Sequence, residues 1–497
     1  MTEQPPNSVF VRIHDGSEIC VPNVIRRLTT YVLLEQEDWF ESEIGFVRKA
    51  VQPGQAAIDI GASFGLYTSA LGRATGPAGK VWAFEPAAVP RTHLLATLQR
   101  NGLAHVEVFA HALSDAPGEQ VLANPGDTEL GQLGGDEVFG ERVSVETLDR
   151  LAGSFGDRPI DFVKLDAEGL EPRIIAAGHR IFADHSPLVM TEIVQGVTYQ
   201  PAIADALQAL GYDVFRHVPA LNILVPFDAA TRDAYLINVF ACKPDRAAQL
   251  QARQLLVRET APPAEPAPDA WLKLLAPMPY FGPLQAQMNR FAARPNHIAD
   301  DTYRRALNLY AASRDENAGA AHRWAALAEA DRLLRGYEGD NIPHPQALSS
   351  ARVAADIGRR VDAYNLFTGL LNAVKRGERL RLTEMFLAPS VRSENWDSGG
   401  RFSEWLAAGL FTEFERLRAH SSYFSNDATV NFIERNRSSV FHSSFLERRW
   451  QLMRMATGAQ SAPQPHDLLA AATPDNLNPA LWQADSPLVA VEMYSIG

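Results

Sequence analysis

The chain is poor in cysteine: Cys20 and Cys242 are its two thiols in 497 residues. That argues against a disulfide framework and leaves no Cys-x-x-Cys pair for zinc. Long apolar runs are also missing. No stretch reaches the about 18 apolar residues that a membrane-crossing helix needs. Residues 1–8 carry neither the basic nor the apolar region of a signal peptide, so a cytoplasmic protein with no membrane span is expected. Positive charge is in deficit, with 46 Lys and Arg against 59 Asp and Glu and a formal net charge of −13. An extended nucleic-acid footprint needs a basic face, so nucleic acid is not expected as a partner. What is present is 46% hydrophobic residues, enough to bury a substantial core. The length suits two to four domains.

The most informative stretch is Ala57-Ile58-Asp59-Ile60-Gly61-Ala62-Ser63-Phe64-Gly65. An apolar strand ends in an acid and a glycine-bearing turn, and a helix-compatible segment follows. Val81-Trp82-Ala83-Phe84-Glu85-Pro86 is a second strand ending in an acid. Together they read as the first βαβ unit of an open sheet that binds a nucleotide or nucleoside. Gly61 and Gly65 are expected to let backbone approach a ligand where a Cβ would block it. Glu85 follows Gly65 by twenty residues, where a carboxylate can bond a ribose diol. The spacing is Gly-x-x-x-Gly rather than Gly-x-Gly-x-x-Gly. It favours S-adenosylmethionine, which has no pyrophosphate to cradle and whose ammonium would gain from Asp59. The plainer alternative is an ordinary strand–turn–helix.

Two further strands break into acids: Lys164-Leu165-Asp166-Ala167-Glu168-Gly169-Leu170-Glu171 ends one, and Met190-Thr191-Glu192 ends the other. Asp-Ile-Gly-Ala-x-x-Gly, Phe-Glu-Pro and Lys-Leu-Asp-x-Glu-Gly-x-Glu, in that order, resemble the FkbM family of S-adenosylmethionine-dependent methyltransferases over roughly residues 30–243. Ser63 departs from the Asn usual in that family. The resemblance implies a class I, Rossmann-like α/β sheet, mostly parallel with an antiparallel last strand. It also implies methyl transfer, with a sugar or glycan hydroxyl as the leading acceptor and a natural-product hydroxyl next. A nicotinamide-dependent oxidoreductase and a noncatalytic scaffold are the rival readings.

Alternation of strands and helices continues to about residue 245. Strands are expected near 56–60, 80–84, 106–110, 160–165, 187–192, 211–216 and 235–241, and a helix over 36–50. The organisation expected is an N-terminal segment and candidate lid at 1–50, a cofactor-binding domain at 51–245, a Pro-rich linker at 246–270 and an all-α domain at 271–497. One long helix is expected over 429–456. Its apolar face suits a bundle core or a homo-oligomer interface, and its arginines suit a solvated face or an anionic acceptor. Residues 347–371 read as one tetratricopeptide-like hairpin.

Acids at the carboxyl ends of parallel strands face the ligand crevice. Gly61, Ala62, Ser63 and Gly65 are expected at the methionine end of the cofactor, Glu85 at the ribose, and Ala112 and Leu113 at the adenine edge. Asp166 is the first candidate base and Glu168 the second, with Lys164 on the strand face of Asp166. Glu168 and Glu171 could instead cap the next helix. His217 is a lesser candidate facing the acceptor. Mg²⁺ on Asp166, Glu168 and Glu192 is an alternative the sequence does not favour.

Overall fold

The computed structural model describes residues 4–123, 140–195, 198–290, 300–337, 342–378, 380–425, 427–456, 467–483 and 486–488. The chain opens with a hairpin that the strand list above omits. Ser8–Arg12 (β1) pairs antiparallel with Glu18–Pro22 (β2). The signal was there: Asp15-Gly16 between alternating apolar residues favours a hairpin turn, and Asp15 accepts the Ser17 N–H at 2.8 Å. A further helix, Leu28–Gln36 (α1), precedes the one expected over 36–50, which covers only Glu43–Ala50 (α2). They separate at Glu37, whose backbone is left-handed at φ 57°. Arg48 then ties α2 to Asp15 and Asp38 at 2.8 and 2.6 Å.

The βαβ reading holds through the sheet. Ala56–Ile60 (β3), Leu66–Thr75 (α3), Lys80–Phe84 (β4), Ala88–Arg100 (α4) and Val106–Phe109 (β5) follow in order. His111–Leu113 (β6), Gly118–Leu122 (β7) and Glu141–Glu146 (β8) make a small separate sheet. Phe162–Leu165 (β9), Glu171–Ala176 (α5), Leu188–Glu192 (β10), Pro201–Ala209 (α6), Asp213–Val218 (β11), Ile223–Pro226 (β12) and Asn238–Cys242 (β13) complete the α/β body. The eight-stranded sheet runs β12-β11-β13-β10-β9-β3-β4-β5. Neighbours from β10 to β5 are parallel, and the last strand, β13, lies antiparallel between β10 and β11. The mostly parallel sheet with an antiparallel last strand is the arrangement expected from the sequence. After β5 the chain crosses back to place β9 beside β3. That reversal opens a crevice at the carboxyl ends of β3 and β9.

Helices dominate beyond the sheet: Pro244–Ala252 (α7), Asp301–Ser313 (α8), Ala320–Leu334 (α9), His344–Ile357 (α10), Arg360–Lys375 (α11), Phe402–Arg418 (α12), Asp427–Asn436 (α13) and Ser444–Ala456 (α14). The helix expected over 429–456 is broken between α13 and α14. Hydroxyls there serve the backbone locally, Ser439 Oγ accepting from Phe441 N and Ser443 Oγ from Leu446 N, which competes with helix. The apolar face of α14 is buried inside the chain, Leu446 and Trp450 packing with Leu371, Phe411 and Ile433. α10 and α11 form the hairpin expected over 347–371.

The core does not divide at residue 245. Residues 255–257 lie along β12, with Leu224 N donating to Leu255 O and Val257 N to Leu224 O, both at 2.9 Å. Residues 260–267 do run without helix or strand. Val218, Ile223 and Val225 share a cluster with Tyr303, Leu307 and Trp324 of the helices. At the opposite end, Val9, Val11 and Val21 of the hairpin share one with Leu452, Leu481 and Trp482. Among the described residues no helix is long and apolar enough to cross a membrane.

Candidate active site

A cleft opens at the carboxyl ends of β3, β4 and β9. Gly61, Ser63, Glu85, Ala112, Leu113, Asp166 and Glu168, all named as candidates from the sequence, line it together with His111. Glu85 is nearly buried. Its Oε2 accepts the Ser63 N–H and its Oε1 the Ala87 N–H, both at 2.8 Å. Burial pushes its carboxyl up to about 7. Ser63 and Glu168 both hold left-handed backbone, at φ 47° and 51°. Such conformations are strained for residues other than glycine and cluster at functional sites.

Gly61 and Gly65 act differently from expectation. A Cβ on Gly61 would come within 2.0 Å of the Asp166 carbonyl oxygen, and one on Gly65 within 2.5 Å of Leu94 Cδ1. Both glycines admit neighbouring protein, locking β3 to the β9 loop and α3 to α4. Gly65 and the buried Ala62 do not line the cleft. Asp59 does not either. It is fully buried, accepts the Thr68 hydroxyl at 2.6 Å and lies beside Lys164 in the sheet register. A residue two before the glycine points away from the turn, into the sheet face that β9 shares.

That face holds a chain of charge. Lys164 Nζ is 2.9 Å from Asp166 Oδ2 and 5.0 Å from the Tyr67 ring. The Tyr67 hydroxyl donates to Glu41 Oε2 at 2.7 Å. Burial alone would lower the Lys164 ammonium, but Asp166 and Asp59 more than offset it and hold the pKa above the usual lysine value. Glu168, Glu192 and Glu41 near it rise. Burial, helped by Asp166 and Glu171, pushes Glu168 to about 7, and burial with Asp166 and Glu41 pushes Glu192 to about 9. Glu41 is raised by burial. Its place beside Lys164 was not legible in sequence, because more than a hundred residues separate the two. Neither candidate caps the helix: its N-cap, Leu170, receives no side-chain bond, and Glu171 instead braces the preceding loop, accepting the Ala167 and Gly169 N–H groups at 2.8 and 3.3 Å.

His217 lies outside the cleft. Its Nε2 bonds Asn222 Oδ1 at 2.9 Å and its Nδ1 Ser42 Oγ at 3.1 Å, and burial lowers it to about 4. Arg448 and Arg449 form neither a solvated face nor an acceptor site. Both are buried, and Arg449 Nε pairs with Glu35 Oε1 at 2.8 Å.

S-adenosylmethionine fits the cleft. Glu85 keeps lone pairs for a ribose diol after its two backbone bonds. Among the described residues His111 Nδ1 is buried without a partner, and His111 lines the same cleft. Ala112, Leu113 and Leu122 supply apolar wall. Among the described residues no three His, Cys, Asp or Glu side chains are grouped as a metal site requires.

Comparison with known proteins bears on the α/β body. A methyltransferase FkbM from Methylobacillus flagellatus is 18% identical, with a TM-score of 0.28 over 40% of this chain and 50% of its own length. This chain therefore spans half of that protein. A SAM-dependent methyltransferase from Aquifex aeolicus is 15% identical, with a TM-score of 0.26 over 42% of this chain and 91% of its own. A precorrin-6y C5,15-methyltransferase from Geobacter metallireducens is 14% identical, with a TM-score of 0.25 over 40% and 86%. No curated protein matches. The model of the Methyltransferase FkbM domain matches residues 59–214, so the α/β body of this chain carries a domain of that family.

Proposed function

We propose that this chain is an S-adenosylmethionine-dependent O-methyltransferase acting on a hydroxyl of a glycan or small molecule. The observation that carries the reading is the cleft itself, a buried ribose-competent carboxylate at Glu85 facing a carboxylate-rich rim at Asp166 and Glu168. When bound, the cofactor supplies a methyl on a sulfonium, already a good leaving group. Glu85 would hold the ribose hydroxyls, the Gly61–Ser63 turn the methionine end, and Ala112 and Leu113 the adenine. Lys164 keeps Asp166 oriented and charge-balanced. Asp166 is the proposed base. Glu168, raised to about 7, sits where a general base works best near neutral pH and is the second candidate.

Calorimetry tests the cofactor: S-adenosylhomocysteine should bind with micromolar-range affinity and NAD should not. The base is tested with a known acceptor. Asp166→Asn should lower kcat about 10²–10⁴-fold with cofactor affinity little changed. Should Glu168 be the base instead, Glu168→Gln would remove an acid limb near pH 7, because activity must rise as that carboxyl loses its proton. Tight NAD binding with no response to S-adenosylhomocysteine would refute the reading.

A further inference from the structure

Beside the cleft lies a second cavity of 240 Å³, walled on one side by the sheet and on the other by the helices. Glu41 and Glu43 of the α2 entry reach it, as do Arg216 and His217 of β11, Arg232, and Arg360 at the start of α11. Glu41 also bonds Tyr67, which lies against Lys164, so this cavity and the cleft meet at one chain of side chains.

The arginines of its wall divide into two kinds. Arg335 and Arg359 pair with Asp331, at 2.9 and 2.7 Å, and Arg416 with Glu413 at 2.7 Å. Among the described residues Arg216, Arg232 and Arg360 have no carboxylate partner. Arg216 donates to Ile357 O at 2.8 Å and Arg232 to Asp233 O at 3.1 Å. Arg360 directs three N–H groups at Leu417 O, His420 Nδ1 and Arg416 O, at 3.0, 2.9 and 3.1 Å. Its guanidinium covers the Tyr235 ring at 4.6 Å. Two of its five N–H groups are left over. Four acids share the wall, Glu41, Glu43, Asp228 and Asp233. Asp233 and Glu43 attract Arg360 from a distance, but among the described residues none is paired with it: Asp233 accepts the Tyr235 and Val361 N–H groups, Asp228 the Ala230 N–H and Glu41 the Tyr67 hydroxyl. Burial with Arg416 nearby pushes Arg360 down to about 10. A buried cation with no carboxylate at bonding distance is costly, and a planar fork with donors to spare matches a phosphoryl or carboxylate group.

We propose that this cavity binds an anionic group, phosphoryl or carboxylate, carried by the methyl acceptor. The proposal rests on the methyltransferase reading for its word acceptor, but the anion site stands or falls by itself. The acceptor is then a hydroxylated compound with its anion toward Arg360 and its reacting hydroxyl toward Glu41 and the cleft.

The test is calorimetry on the full chain with glucose 6-phosphate, glucuronate and glucose, with S-adenosylhomocysteine as a separate titrant. At least one of the two anions should bind with Kd below about 1 mM, and glucose should not. Arg360→Gln should weaken that anion at least about tenfold, the loss of one charge-assisted bond, and leave S-adenosylhomocysteine affinity unchanged. Should Arg360→Gln fail to fold, Arg232→Gln is read instead, with the same expectation. Whichever anion binds more tightly separates the phosphoryl from the carboxylate source. No anion binding up to about 10 mM by protein that binds S-adenosylhomocysteine would overturn the proposal alone. So would variants that bind anion like wild type, since Arg360 would then serve only the carbonyls of α12. Anion binding without S-adenosylhomocysteine binding would sustain the site and defeat the methyltransferase reading.

Discussion

Two of the buried charge clusters in this molecule, around Glu35 and around Lys164, are built oppositely. Around Glu35, every charge is matched. Arg449 pairs with Glu35 and with Glu415 at 2.8 and 3.2 Å, and Ser421 Oγ donates to Glu35 at 2.7 Å. Burial would raise the Glu35 carboxyl, but Arg449 and the serine hydroxyls hold it below its ordinary value. Around Lys164, one ammonium faces Asp59, Asp166 and Glu41, and Glu168 and Glu192 are pushed up to about 7 and about 9. The first cluster joins α1, α12 and α14. The second holds Glu168 near the point of proton exchange and Glu192 above it. Matched charge fastens the fold, while mismatched charge stores reactivity at the cleft.

The bluntest way to break the comparison is to delete one side of it. A chain ending at Lys243 keeps the acid rim but loses Arg449 and the apolar cover of Val218, Ile223 and Val225. It should show no cooperative thermal transition and no S-adenosylhomocysteine binding. A folded, binding product would mean the sheet carries its own core. A point change is milder: Arg449→Ala leaves Glu35 and Glu415 buried without their cation and should cost about 3–5 kcal/mol in urea unfolding. The kcat of the folded fraction should stay near wild type, which a catalytic role for that cluster would contradict.

The smallest effect sharpens the contrast through pH. Glu192 is raised from 4.5 to about 9, so the native state holds a proton that the unfolded chain releases. Its stabilising contribution is full below pH 4.5 and is lost as pH rises toward 9. Glu192→Gln should therefore flatten the decline of Tm between pH 5 and 9, raising Tm by about 2 °C or more at pH 9. An unchanged slope would show that Glu192 does not carry this linkage.

The parts of this picture legible in sequence are those that local pattern dictates. The strand-ending acids Glu85, Asp166 and Glu168 were found because parallel strands deliver their last residues to one rim. Ala112 and Leu113 followed from chain order. The misread residues answer to tertiary partners. Asp59 turns inward because the strand alternation places it beside Lys164, and Gly65 is dictated by Leu94. Arg448 and Arg449 resemble a charged surface in sequence, yet their counter-ions come from α1, some four hundred residues earlier. Ser439 and Ser443 interrupt a helix whose apolar spacing alone would have carried through.

The hairpin β1–β2 has a consequence for how this chain is made. Arg12 N donates to Asn478 Oδ1 at 2.8 Å, and Asn478 Nδ2 returns a bond to Arg12 O at 2.9 Å, across 466 residues of sequence. At about 5–20 residues per second, a ribosome needs roughly half a minute to a minute and a half to supply that partner. Throughout that interval Val9, Val11 and Val21 have no Trp482 or Leu481 to lie against, so β1 and β2 are made long before they are sealed.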